Sequence, residues 1–154
     1  MEILEAREEH IDRIIPLWVA LMDYHARLDP TFRRAEDAET RWREFLAKLV
    51  ASDDARVFVA VEGEEIVGYC VARLIFEPPV FAEMPRGEIV DMFVREGNRR
   101  RGVGSTLLER AYAWFRGEGI SRVELMVSVA NPIGRPFWAK RGFSDYLHKL
   151  YRKI

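Results

Sequence analysis

Ile11, Ile14, Ile15, Trp18, Leu21, Met22 and Leu28 return every three or four positions, with His25 on the same stripe. That period belongs to a helix with one buried face. Pro16 removes one backbone donor within it and is a candidate kink, and Asp29-Pro30 ends it. The short run Ile3–Ala6 ahead of it reads as a first strand. Trp42, Phe45, Leu46, Leu49 and Val50 mark one face of a second helix. Beyond Asp53-Asp54 the pattern changes: Arg56–Val61 and Ile66–Phe76 flank a turn at Gly63 and predict an antiparallel hairpin. Pro78, Pro79 and Pro85 make Glu77–Arg86 a loop. Glu88–Val94 reads as a strand, and Val103–Arg116 as a third helix with Leu107, Leu108, Ala111 and Phe115 inward, stopped by Gly117 and Gly119. Val123–Val129 is a further expected strand, followed by a short helical piece ending at Gly142 and a final strand region over Phe143–Ile154. The order β-α-α-β-β-β-α-β-α-β predicts an α/β fold with a mixed, mainly antiparallel central sheet and helices on both faces.

The 154 residues contain no internal repeat or Gly/Ser linker, so one domain is expected over residues 1–154. A hydrophobic share of 49% supplies a substantial core. With 24 basic against 25 acidic side chains the net charge is -1, which argues against generic nucleic-acid binding. Cys70, the one cysteine, rules out an internal disulfide and suits a reducing compartment. Met1–Glu9 is acid-rich and lacks a signal-peptide layout, and no apolar run approaches the roughly 18 residues of a membrane span. A cytoplasmic protein is therefore expected, with no nucleic-acid or membrane partner and no metal. Oligomeric state stays open, a homodimer included.

The chemistry concentrates where Val90-Asp-Met-Phe-Val94 leads into Arg99-Arg-Arg-Gly-Val-Gly-Ser105 and then a helix. The first turn of a helix offers N–H groups without intrahelical partners and the positive end of the dipole. Gly102 and Gly104 let a phosphate approach the backbone, and Arg99, Arg100 and Arg101 add charge for several phosphates. A dinucleotide fingerprint would need a third glycine where Leu107 stands. A P-loop would need a lysine between Gly104 and Ser105.

R-x-x-G-x-G over Arg99–Gly104 resembles the acyl-CoA loop of the GNAT superfamily of N-acetyltransferases. Downstream, Asn131 is followed six and seven residues later by Phe137 and Trp138, then by Lys140 and Gly142-Phe143. That resembles the superfamily's N-x-x-A-x-x-F-Y-x-K-x-G-F signature, in the right order and at the right distance. The resemblance implies acetyl-CoA as co-substrate, held by Arg99, Arg100, Arg101, Gly102, Val103, Gly104 and Ser105, with Asn131 and Phe137 contributing from the last helix. It also implies that backbone N–H groups near Met92 and Phe93 polarise the thioester carbonyl, and that backbone around Phe93 and Val94 holds the pantetheine arm as an added strand. Two departures stand out. Trp138 occupies the position of the tyrosine that often serves as general acid, and an indole N–H is a donor only. Pro132 and Pro136 both fall in the last helix, so that helix is expected to start near Pro136 or break there.

The implied reaction is direct attack by an amine on the thioester. An alkylammonium with a pKa near 10.4 is only about 0.04% neutral at pH 7, a penalty of roughly 4–5 kcal/mol, so a general base helps. The resemblance makes Glu88, eleven residues before Arg99, the first candidate, because some members of the superfamily carry the base there on this strand, and Asp91 the second. The two face opposite sides of a regular strand, and a β-bulge would bring them together. The acceptor is expected to be a small-molecule or peptide amine, with Tyr24, His25 and Asp29 near its pocket. Two other functions stay open: an acyl-CoA-binding module without turnover, and a protein-interaction domain with a vestigial cofactor loop.

Overall fold

The computed structural model describes residues 1–154. Its elements are β1 (Glu2–Glu5), α1 (Ile11–Leu28), α2 (Ala38–Val50), β2 (Ala55–Glu62), β3 (Glu65–Ile75), β4 (Arg86–Val94), α3 (Val103–Gly117), β5 (Val123–Leu125) and α4 (Gly134–Ala139). The strands lie in the order β1-β2-β3-β4-β5, antiparallel throughout except for β4 and β5. That last pair is parallel because α3 carries the chain back across the sheet between them.

Alternation along β2 and β3 splits the core in two. Val57, Val59, Tyr69 and Val71 pack with Ile14, Leu17, Trp18, Leu21 and Leu46 under α1 and α2. Phe58, Ala60, Cys70 and Ala72 pack with Leu107, Leu108, Ala111 and Phe115 under α3. A strand covered on both faces needs apolar residues at every position, which is why β2 and β3 read as continuous apolar runs. Gly87 sits where α3 presses on the sheet; a Cβ there would lie 2.7 Å from the Phe115 ring.

Helix α1 runs through Pro16 without interruption. Two sequence expectations are corrected at the C-terminal side. β5 spans three residues, not Val123–Val129, because beyond Leu125 it no longer lies beside β4. No strand forms over Phe143–Ile154, where Ser144 onward is exposed. Leu147, Leu150, Tyr151 and Ile154 recur at three and four positions instead of alternating, so no strand face would collect them. The last helix starts at Gly134 and contains Pro136 in its first turn, where the missing N–H costs nothing.

Two features of β4 shape the site. Its ladder with β5 covers only Gly87–Ile89, while β4 itself continues to Val94. The two strands therefore part and leave a gap. At the same point the pairing with β3 slips: Ala72 faces Ile89, but Val71 faces Asp91. Val90 is the extra residue of a β-bulge.

Candidate active site

A cavity of about 940 Å³ opens in the gap between β4 and β5. Ile89–Val94 form one wall and Leu125–Val127 the other, with α1, α3 and α4 around them.

One end gathers helix-start N–H groups and basic side chains. After β4 the chain makes a short 3₁₀ turn (Glu96–Asn98) and enters α3 through Arg99–Gly102. Arg100 has φ 61° and Gly102 φ 84°. Holding a non-glycine residue in the left-handed region costs about 1–2 kcal/mol, and such alternation aims successive N–H groups to one side. Thr106 N–H returns to the Gly102 carbonyl at 3.0 Å, while the N–H groups of Val103, Gly104 and Ser105 find no backbone carbonyl. Gly104 faces Phe137, whose ring would lie 3.2 Å from an added Cβ. Arg99 Nε donates to the Val94 carbonyl at 2.9 Å, and its guanidinium lies over the Phe93 ring.

Arg99, Arg100, Gly102, Val103, Gly104 and Ser105 all line the cavity, as do Met92, Phe93, Val94, Asn131 and Phe137. Arg101 does not: it pairs with Glu62 at 3.2 Å. The sequence reading missed Arg141. Its guanidinium donates to Ser105 Oγ and to the Phe137 carbonyl, and stacks 3.5 Å from the Phe137 ring centroid. The pair Lys140-Arg141 after the last helix was the available signal, and both residues line the cavity.

Asn131 does more than face the cavity. Only 8% exposed, it accepts at Oδ1 from the N–H groups of Ile133 (3.1 Å) and Gly134 (2.7 Å), which fixes the start of α4. The Tyr24 hydroxyl donates to the same oxygen at 3.0 Å.

The opposite end is formed by Leu21, Tyr24 and His25 of α1 and by Asp91. Burial pulls His25 below its ordinary pKa and so favours a neutral imidazole. Asp29 turns away, accepting from Thr31 N–H at 2.9 Å to cap the following turn. The bulge puts Glu88, Val90 and Asp91 on one face of β4, toward α1 and α2: Val90 packs in that core, whereas Ile89 and Met92 pack under α3. The two carboxylates nevertheless differ. Glu88 is absent from the cavity wall and pairs with Arg73 at 2.5 Å. Asp91 lines the cavity, and its carboxyl is pushed up to about 7, mainly by burial and further by the charge of Glu88, against the opposing pull of the Trp42 indole.

The model of the Acetyltransferase (GNAT) family matches residues 18–143. The chain belongs to the GNAT family of acetyltransferases. An uncharacterized N-acetyltransferase of Archaeoglobus fulgidus is 26% identical over 141 residues, covering 92% of this chain and 91% of that protein. A mutant form of the BH1408 protein from Bacillus halodurans superposes with a TM-score of 0.87 at 21% identity, over 100% of this chain and 99% of the other. The aminoglycoside N-acetyltransferase AAC(6')-Iy in complex with CoA superposes at 0.75 and 19% identity, over 99% of both chains. At those identities the structures speak for a shared GNAT fold.

Within this GNAT fold, Trp138 lines the cavity and stands edge-on between Phe137 (4.9 Å) and Phe143 (5.3 Å). Those contacts make it an aromatic wall. No helix is long and apolar enough to cross a membrane.

Proposed function

We propose that this protein transfers an acetyl group from acetyl-CoA to a primary amine of a small molecule or peptide, by direct attack, with Asp91 as the general base. One observation carries the proposal: a single cavity has free helix-start N–H groups at one end and a half-buried carboxylate at the other.

The phosphate end fits the co-substrate. Gly102 and Gly104 keep Cβ atoms out of the cradle, the N–H groups of Val103–Ser105 lack partners, and Arg99, Arg100 and Arg141 stand around them. Backbone of Met92–Val94 on the β5 side is unpaired, because the β4–β5 ladder ends at Ile89, and can bind the pantetheine amides. Bound acetyl-CoA supplies the acetyl group as a thioester, activated toward a nucleophile and leaving a thiolate.

At the other end Asp91 takes the proton of the incoming ammonium. Raising its pKa from 3.8 to about 7 narrows the mismatch with an alkylammonium to about three pKa units. The neutral amine then forms its bond to the acetyl carbon as the C–S bond breaks, and the second proton on the new amide nitrogen passes to the departing sulfur, giving the amide and the free thiol. The thiolate keeps that electron pair and is the conjugate base of a thiol with pKa near 8.5, so its departure needs little help from an acid. Trp138 supplies none. N–H groups near Met92 and Phe93 stabilise the charge that gathers on the acetyl oxygen. Asp91 and Glu96 are the acidic residues of the cavity wall, and Glu96 belongs to the phosphate end. An acceptor with one cationic amine fits this end better than a polycation.

Trp138, a donor only where a hydroxyl is usual in the resemblance, favours a second reading: an acyl-CoA-binding module without turnover. Acetyl-CoA-dependent thiol release across a panel of primary amines separates the two. Release with at least one amine supports transfer. Tight acetyl-CoA binding with no release from any amine supports the binding module.

A further inference from the structure

Tyr69 is fully buried, yet its hydroxyl has no protein hydrogen-bond partner. Phenylalanine would fill the same space without that penalty, so the hydroxyl calls for a use. Tyr69 pairs with Phe93 across the β3–β4 ladder, and Val71, two residues on, pairs with Asp91. Residues two apart share a face, so the Tyr69 ring and the Asp91 carboxyl are diagonal neighbours on the α1/α2 side, within reach of a long aromatic side chain. Trp42 of α2 closes the third side. Its ring meets Tyr69 edge-on at 6.0 Å and stacks on Trp18 at 4.9 Å.

We propose that Tyr69 is a positioning residue for Asp91: its hydroxyl donates from the core side through one bridging water to one carboxylate oxygen and leaves the other oxygen facing the cavity. This rests on the acetyl-transfer reading of that cavity. The bulge at Val90 is what makes the arrangement possible. In regular pairing Asp91 would point under α3, among Leu107 and Phe115, and Tyr69 would have no acidic neighbour on its face.

The other groups around Asp91 are already engaged. Glu88 on the same strand pairs with Arg73 of β3. Glu124 of β5 pairs with Arg86 and Arg122. Tyr24 of α1 donates to Asn131, and His25 beside it is held toward neutrality by burial. Cys70 lies on the opposite face of β3 under α3, its thiol pushed up to about 12 by burial. From α2 the neighbour is Trp42, whose indole favours the ionised Asp91.

The test is a ¹³C NMR titration of the aspartate carboxyls in the whole protein, with Asp91 assigned as the resonance lost in Asp91→Asn. Removing a donor disfavours the charged carboxylate, so Tyr69→Phe is expected to raise the Asp91 midpoint by about half a pH unit or more. Acetyl-CoA affinity should stay within about twofold, since Tyr69 lies outside the phosphate end. Amine-dependent thiol release should fall about threefold at pH 6 and stay within about twofold at pH 9, as a half-unit shift requires. An unmoved midpoint in Tyr69→Phe, with a higher melting temperature, would overturn the proposal: the hydroxyl would be idle in the core. Full turnover in Asp91→Asn would remove Asp91 as the base, while the titration would still decide whether Tyr69 holds it.

Discussion

The Tyr24 hydroxyl on α1 donates to Asn131 Oδ1, 3.0 Å away, and so ties the first helix of the chain to the last one across the mouth of the cavity. The same oxygen caps α4 through Ile133 and Gly134. Asn131→Ala removes all three bonds and is expected to cost about 1–2 kcal/mol of stability, the scale of a lost helix cap. Tyr24→Phe should cost less, because Asn131 keeps its backbone donors. Gly134→Ala should resemble Asn131→Ala, since its Cβ would lie 2.6 Å from the Asn131 amide nitrogen. Thermal denaturation of the three variants checks the order. An Asn131→Ala protein as stable as the parent would remove the capping role.

Glu88→Gln separates two ways in which that residue can act. With Asp91 as the base, Glu88 acts only through its charge, which holds the Asp91 carboxyl up. Its removal should then shift the acid limb of the pH–rate profile to lower pH while the plateau rate survives. If Glu88 were itself the base, the neutral-pH rate would fall about a hundredfold or more and recover in part at high pH.

The helices and the hairpin were legible because each has its own period: the stripe from Ile11 to Leu28 gave α1, and the apolar runs around Gly63 gave β2 and β3. The glycine-containing turn that opens α3 was legible because it is local in sequence. What escaped was set by register and by distant approach. Nothing in Glu88–Val94 says that the extra residue is Val90, so the face of Asp91 was open. Arg141 reaches Ser105 over 36 positions, and Arg101 turns to Glu62 although its two neighbours face the cavity. The strand expected over Phe143–Ile154 has no alternation of apolar and polar residues behind it.

Gly104→Val should weaken acetyl-CoA binding by about tenfold or more in a folded protein. An added Cβ already lies 3.2 Å from the Phe137 ring, so the branched side chain must displace that ring or enter the cradle. Calorimetric titration with acetyl-CoA measures it. Unchanged affinity would mean that the phosphates bind elsewhere.

Trp138→Phe should keep kcat within about tenfold, because phenylalanine can still pack between Phe137 and Phe143 and a thiolate of pKa near 8.5 leaves without an acid. Trp138→Tyr can gain at most about 2 kcal/mol from protonating that thiolate, about thirtyfold in rate. A folded Trp138→Phe that binds acetyl-CoA but loses turnover a thousandfold would assign the indole N–H a specific catalytic bond.

Asp91 should also mark the pH dependence of stability. Its folded pKa of about 7 lies above the ordinary 3.8. The folded state therefore keeps this proton through a window in which the unfolded chain has released it. The group's contribution to stability is complete below about pH 4, falls as the pH rises toward about 7, and levels above that. Asp91→Asn, neutral throughout, should raise the melting temperature at pH 8 by more than at pH 5. Equal shifts at both would mean that the carboxyl is not strained by burial.

Whether Asp91 deprotonates the amine is decided by thiol release from Asp91→Asn, set beside acetyl-CoA binding by the same protein. Acetyl-CoA affinity is expected to stay within about twofold of the parent, since the phosphate end is untouched. Release with the best amine of the panel should fall about a hundredfold or more at pH 7, the usual contribution of a general base. The parent's rate should rise through about pH 7 as Asp91 ionises. An Asp91→Asn protein that binds acetyl-CoA and turns over at the parent rate, with the same pH profile, would mean that Asp91 is not the base.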